Sequence, residues 1–544
     1  MSPLALGRKA AAEETPGEMT TVPAAFGKPS KLPGTAFARV GRSDVEKDME
    51  TIMSQSLTLK TRLEYDKVAV GKSRVVHLLV SLEGAKFEAD SRKPLSISAA
   101  IDVSGSMGEE HGKKIQYAKR SLQKLIDHLT EKDTLSIVAF SDTVWTVFET
   151  ARMTSEAKEK AKAEVEKLHP HQSTNLSGAT YESYEHLKEP SGDVVRSFLF
   201  TDGLPTAGET HHDRLVEIAR QKPSKAGLTC FGYGNDHDPE LLASMAKAGG
   251  GNFYFIKTPD QCAGTFGREL GGLLTCVAQA IKVKVKAAKD VRVKEVLNDL
   301  DVKGKDDESE AVVSVDDVYA EENRKIVLKL EIPEGSKALM ARAVKVCDVE
   351  IAYQDLLARE PRAGEAAVKI EYVKDGDEQK EPAKEVEEQI ALIQAAEAQE
   401  EAEKLANKGD FAGAKNAIKV AMVVCRKVGT QFAHAIADDL DRHVMKCFAD
   451  EHEYRAGGQN YAVSNRRGYL RGRGATIGTH SLFSSSHQKG MAAEFEEGDL
   501  GGPEDESDPM PSAPVPGPVV QKPSKPKAKT SRPAGLSKTR RTRR

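Results

Sequence analysis

The run Leu95-Ser-Ile-Ser-Ala-Ala-Ile101 reads as a buried strand, and it ends on Asp102-Val-Ser104-Gly-Ser106. A carboxylate and two hydroxyls therefore leave one strand end together. A strand with no wet face needs cover on both sides, which points to a sheet sandwiched between helices. In such sheets ligands gather beyond the carboxyl ends of the strands. Three oxygen side chains within five residues suit a hard cation better than they suit catalysis.

Two distant segments fit the same edge. Gln172-Ser173-Thr174-Asn175-Leu176 offers a hydroxyl just before a helical stretch, and Phe198-Leu199-Phe200-Thr201-Asp202-Gly203 ends a second apolar strand on a carboxylate. Between them come an amphipathic helix (Ile115, Ala118, Leu122, Leu125, Ile126, Leu129), a strand from Thr134 to Phe140, and a helix-period stretch from Ala157 to Leu168. After Asp202 the alternation continues with a helix near Leu215, a strand Leu228 to Gly232, a helix Glu240 to Ala248 and a strand Asn252 to Ile256. The fold class expected is α/β, a doubly wound, mostly parallel, Rossmann-like sheet.

D-x-S-x-S, a threonine loop, then an apolar strand ending in T-D-G resembles the metal-ion-dependent adhesion site of von Willebrand factor type A domains. The resemblance covers about residues 93 to 275, and Gly232-Tyr-Gly-Asn-Asp-His-Asp followed by Gly249-Gly-Gly-Asn-Phe-Tyr looks like the corresponding part of intracellular members. It implies that Ser104, Ser106 and Thr174 bind the metal directly and that Asp102 and Asp202 act largely through water. One position would stay open for an acidic side chain of a protein partner. The cofactor implied is Mg²⁺, or Mn²⁺ or Ca²⁺ in its place. The competing reading of these residues is that they are turn and N-cap residues, which satisfy the first amides of the next helix. Asp102 reads as a solvent-facing carboxylate with little part in packing.

Enzymatic motifs are missing: there is no G-x-S-x-G, no Gly-rich loop with Lys-Ser/Thr, no H-E-x-x-H and no Cys/His cluster. The histidines at 111, 169, 171, 211 and 212 make no zinc spacing. Binding rather than turnover is expected. The six cysteines are widely spread without C-x-x-C and read as buried thiols of a reducing compartment. With no apolar signal-like run at the N-terminus and no membrane-spanning stretch, the expected address is intracellular, cytoplasmic or nuclear.

The flanks have a different period. Ser56 to Tyr65 and Ser73 to Leu82 on one side, and segments near Ile281, Val291, Lys325 and Ala343 on the other, alternate apolar and polar residues. They suggest a β-sandwich-like region into which the α/β domain is inserted, or else two small separate sheets. The expected organisation is a disordered segment 1–55, a sandwich-like region 56–92 and 277–375, and the α/β domain 93–275. A small helical unit 382–455, an irregular segment 456–490 and a disordered tail 491–544 follow.

The net charge of −4 hides a split tail: eight acids and no basic residue from Met491 to Met510, then ten Lys/Arg and no acid from Gln521 to Arg544. A type A domain followed by strands, a helical unit and Ser-His487-Gln488 looks like a eukaryotic intracellular family that includes RING-type ubiquitin ligases. This chain has no RING. The function expected is an intracellular interaction scaffold that binds partners through the cation site. The alternatives are a nucleic-acid or nuclear role for the basic tail Lys522 to Arg544, or substrate recognition beside a ubiquitin ligase. The stretch Arg466 to Arg473, with Tyr469 among its arginines, could stack on RNA bases or simply line a loop.

Overall fold

Strand Leu95–Asp102 is buried at every position, and it sits inside a six-stranded sheet. In spatial order the strands are Phe253–Ile256, Ala226–Tyr233, Val194–Thr201, Leu95–Asp102, Thr134–Phe140 and Val144–Arg152. All neighbours pair in parallel except the last two, which form an antiparallel pair at the edge. The computed structural model describes residues 50–53, 56–86, 92–171, 173–223, 225–257 and 260–497. Both tail blocks of opposite charge lie mainly outside the described residues.

Alternate positions of the central strand feed two cores. Leu95, Ile97, Ala99 and Ile101 pack with Leu122 and Ile126 of helix Glu109–His128 and with Phe266 and Leu270 of helix Asp260–Leu274. Ala100 faces the other side, among Leu176 and Ala179 of helix Leu176–Glu185, Leu215 of helix His212–Arg220 and Leu241 of helix Pro239–Ala248. Burial of each such Leu or Ile contributes about 1.5 to 3 kcal/mol, which is why the all-apolar runs have to end up here.

The alternating flanks form two further sheets. One has the order Glu50–Met53, Leu57–Leu63, Arg74–Gly84, Asn323–Ile332, Arg292–Val296. The other has the order Asp301–Gly304, Glu310–Tyr319, Cys276–Ala287, Ala343–Asp355, Glu360–Val373, Lys67–Ala69. Their inner faces share one core, with Leu78, Val80, Ile326 and Leu328 against Val283, Val313 and Val349. Arg74–Gly84 pairs antiparallel with Asn323–Ile332, from Arg74 opposite Ile332 to Glu83 opposite Asn323. An early strand thus hydrogen-bonds to a late one, so the flanks make one sandwich-like region with the α/β sheet inserted in it.

Helices Lys384–Ala406 and Phe411–Val428 form a hairpin, with Asp410 capping the second and Gly429 closing it in the left-handed conformation. Residues 456–490, expected to be irregular, instead carry helices Gln459–Arg471 and Ile477–Phe483 and the start of Ser486–Glu497. Two of the expected boundaries also shift: strand Glu50–Met53 lies in the segment expected to be disordered, and helix Ser486–Glu497 runs on past 491. Helix Ser486–Glu497 lies on Asp260–Leu274 along a glycine-lined groove. A Cβ at Gly267 would meet the Met491 carbonyl oxygen at 2.8 Å, and one at Gly271 the Met491 Cβ at 3.0 Å.

Basic residues 466 to 473 join these parts. The Arg473 guanidinium donates to both Glu322 carboxylate oxygens at 2.7 and 2.9 Å and to the Asp317 carbonyl at 2.8 Å, and lies over the Tyr319 ring at 4.2 Å. Arg466 pairs with Glu403 and Glu240, and Arg467 with Glu240 and Asp299. Tyr469 is buried, its hydroxyl donating to Asp439 at 2.6 Å. The idea that this stretch stacks on RNA is therefore corrected: its ring is in a core, and the charges of Arg466, Arg467 and Arg473 are spent on carboxylates of other elements.

Candidate functional site

In the sheet, the chain leaves Leu95–Asp102 toward one side and returns later to place Val194–Thr201 on the other. The two strand ends flank a point where the winding direction reverses, and the crevice outside such a point is where ligands bind. Asp102 closes one strand, and Asp202 follows the other. Ser104 and Ser106 lie on and beside the short turn Gly105–Gly108. Thr174 enters from the loop before helix Leu176–Glu185.

These residues meet. The Ser104 and Ser106 hydroxyl oxygens are 3.0 Å apart, and the Ser106 hydroxyl donates to Asp202 Oδ1 at 2.7 Å. Asp102 accepts from the Ser104 amide at 2.7 Å and from the Thr201 hydroxyl at 2.6 Å. Gly203 brings Thr174 in: a Cβ placed on it would lie 3.1 Å from Thr174 Oγ1 and 3.4 Å from Ser106 Oγ. The two hydroxyls thus converge over a space that only the missing side chain of glycine leaves open.

The capping alternative fails locally. Helix Leu176–Glu185 is capped by Asn175, whose Oδ1 accepts from the Gly178 amide at 2.9 Å, so Thr174 is not its cap. Ser104 makes no side-chain capping bond to the turn that follows it. The backbone of Thr174 is held by Thr206, whose hydroxyl accepts from the Thr174 amide at 2.8 Å.

Asp102 departs from its expected setting. It is fully buried, 0% exposed. Burial pushes its carboxyl up to about 7, against the hydrogen bonds from Thr201 and Ser104. Burial also raises Asp202, opposed by Lys114 and Ser106. Lys114, which the sequence did not single out, donates to Asp202 Oδ2 at 2.8 Å and to Asp236 Oδ2 at 2.9 Å. Its burial disfavours the ammonium, but the two carboxylates outweigh this and raise its pKa. Of the histidines near these loops, His171 stands edge-on to Trp145 at 5.7 Å and His211 bonds to Glu209 at 2.8 Å, so neither turns to the site. The His111 side chain lies outside the described residues.

Neutral hydroxyls beside two carboxylates are donors for a hard cation such as Mg²⁺, which takes oxygen ligands and keeps several waters. Among the described residues, no group of three or more His, Cys, Asp or Glu side chains is placed to hold a metal ion. Any cation here relies on hydroxyl ligands.

Residues 97–267 match the von Willebrand factor type A domain. A segment of 172 residues is 30% identical to inter-alpha-trypsin inhibitor heavy chain H4 of Sus scrofa, covering 30% of this chain and 18% of that one. The match therefore spans less than a fifth of that relative. Two solved structures share the fold. The von Willebrand factor type A protein from Catenulispora acidiphila has a TM-score of 0.59 at 19% identity, covering 72% of this chain and 90% of that one. The ArnB paralog VWA2 from Sulfolobus acidocaldarius has a TM-score of 0.54 at 17% identity, covering 76% and 98%. Both likenesses reach well beyond residues 97–267, so the shared fold takes in more than the α/β sheet.

These findings place a type A domain in the chain, a protein-interaction module rather than a catalytic one, and are consistent with divalent-cation binding in general. They also correct three expectations. The relatives include several heavy chains of inter-alpha-trypsin inhibitor, of extracellular character, so the likeness to an intracellular-type member and to the ligase-associated family does not hold. The intracellular, cytoplasmic or nuclear address falls with it. The intracellular scaffold, with its nuclear and ligase alternatives, is withdrawn on the same relatives, and with no cluster of three or more His, Cys, Asp or Glu side chains among the described residues a cation could be held only with the help of the hydroxyls. The basic tail Lys522 to Arg544, assigned a nucleic-acid contact, lies outside the described residues. Among the described residues no helix is long and apolar enough to cross a membrane.

Proposed function

We propose that the chain is a protein-interaction protein whose contact surface is the edge of the α/β sheet where Asp102 and Asp202 end their strands. At that edge Asp102, Ser104, Ser106, Thr174 and Asp202 hold one divalent cation, Mg²⁺ or in its place Mn²⁺ or Ca²⁺. Ser104, Ser106 and Thr174 supply neutral oxygens. Asp102 and Asp202 stand behind them, supplying charge and orienting the hydroxyls and bound water. The partner is a protein that presents an acidic side chain to this edge.

The observation that carries the reading is the convergence at Gly203. Thr174 Oγ1 and Ser106 Oγ, from segments far apart in sequence, both reach within 3.4 Å of the point a Cβ would occupy. A methyl group there fills the space between the hydroxyls without touching the strands. Calorimetric titration of Mg²⁺ into the full chain is expected to show one site, and Gly203→Ala to weaken it about tenfold or more. Equal affinity in the two proteins contradicts the assignment of these hydroxyls.

A further inference from the structure

We infer that Lys114 is a built-in counter-charge of this site and sets its affinity for the cation, an inference that rests on the cation reading above. Lys114 lies on helix Glu109–His128, one turn beyond its start, and its side chain is 7% exposed. A buried ammonium has to be paired. The partner it takes is Asp202, whose Oδ2 lies 2.8 Å from Nζ while Oδ1 accepts the Ser106 hydroxyl at 2.7 Å. One carboxylate is thus divided between a lysine and a hydroxyl of the cation site.

The consequence follows from charge. Asp102 closes one strand and Asp202 follows the neighbouring strand paired with it, so two like-charged side chains meet at this edge and repel each other. With no cation present, Lys114 offsets this repulsion and keeps Asp202 aimed at Ser106. Once a divalent ion enters, the ammonium and the ion share one carboxylate and repel each other across a poorly screened space. Lys114 therefore preserves the empty site and weakens the loaded one.

The lysine has little room to leave. Its Nζ is also 2.9 Å from Asp236 Oδ2 and 3.8 Å from Glu109 Oε2. Behind it, the position of a Cβ on Gly234 is 3.2 Å from Lys114 Cε. The loop that carries Asp236 is itself pinned, because the Asn460 amide donates to the Asn235 and His237 carbonyls at 3.1 and 3.4 Å. Asp236 is largely exposed, so it tempers the charge of Lys114 without removing it.

Lys114→Met keeps the length of the side chain and removes the charge, whereas Asp236→Asn removes the tempering carboxylate. Titration of Mg²⁺ into the full-length proteins is expected to show about tenfold tighter binding in Lys114→Met and a few-fold weaker binding in Asp236→Asn. Thermal unfolding is expected to show Lys114→Met melting below the wild type without cation and gaining more on addition of Mg²⁺. A simple structural ion pair would lower stability in both variants and leave both affinities where they were. If the wild type binds Mg²⁺, Asp102→Ala does not, and both other variants match the wild type, the role of Lys114 is refuted and the cation site stands. If the wild type takes no Mg²⁺ at millimolar concentration, the cation reading fails and this inference fails with it. Should Lys114→Met not fold, Asp236→Asn decides: weaker binding supports the counter-charge, unchanged binding refutes it.

Discussion

Arg473→Ala is expected to cost about 3 to 5 kcal/mol of stability, because it takes the closest cation from a buried carboxylate and leaves it only the Tyr319 amide at 2.9 Å and Arg324 at 3.7 Å. Glu322 receives two hydrogen bonds from this guanidinium and is buried. The same side chain ties the segment after Gln459–Arg471 to the sandwich-like region at Asp317 and to the α/β sheet at Asn252, with bonds of 2.8 and 3.3 Å. Its removal breaks all of these together. Urea unfolding checks the value, and the double change Arg473→Met with Glu322→Gln is expected to regain part of the loss by removing the under-compensated charge. An Arg473→Ala protein that unfolds at the wild-type midpoint contradicts the role of this residue as the joint between the parts.

The second large effect is local. Phe495 is 1% exposed, stacks on His128 at 4.5 Å and belongs to the same core as Phe266. Phe495→Ala removes a buried aromatic worth about 3 to 5 kcal/mol. Because Ser486–Glu497 is a short helix docked on the surface of two others, Glu109–His128 and Asp260–Leu274, the loss should appear as undocking rather than global unfolding. Hydrogen exchange is expected to speed up by about a hundredfold or more across residues 486–497 while the central strand Leu95–Asp102 keeps its protection. Exchange in the helix at the wild-type rate contradicts the packing described.

The sequence showed the α/β sheet clearly because Phe198 to Phe200 is apolar throughout and Leu95 to Ile101 interrupts its apolar residues only with two small serines, and such runs have few places to go. The sandwich strands were visible for the opposite reason, their alternation. Other features depend on partners far along the chain. Arg466 to Arg473 looked like a free basic stretch because Glu240, Asp299 and Glu322, which neutralise it, lie more than a hundred residues upstream. The helix Gln459–Arg471 hid its period by burying polar residues, Asn460, Ser464 and Asn465, alongside Ala462 and Tyr469. Of the candidate site, the oxygen side chains could be chosen from motif spacing. The depth of Asp102 could not, since a strand-end carboxylate is buried or exposed according to what the neighbouring loops place over it. Lys114 was equally hidden, one lysine among several on an amphipathic helix, and only the fold turns it toward Asp202. The compartment was misjudged because it was inferred from missing signals, and no residue of the folded part encodes it.

The most direct test of the central claim is to locate the cation. Crystals of the full chain grown or soaked with Mn²⁺ are expected to give a single strong anomalous peak among Ser104 Oγ, Ser106 Oγ and Thr174 Oγ1, absent after EDTA treatment. An anomalous map with no peak there, from crystals in which those three hydroxyls are well ordered and Mn²⁺ is in excess, contradicts the assignment of this edge as a cation site.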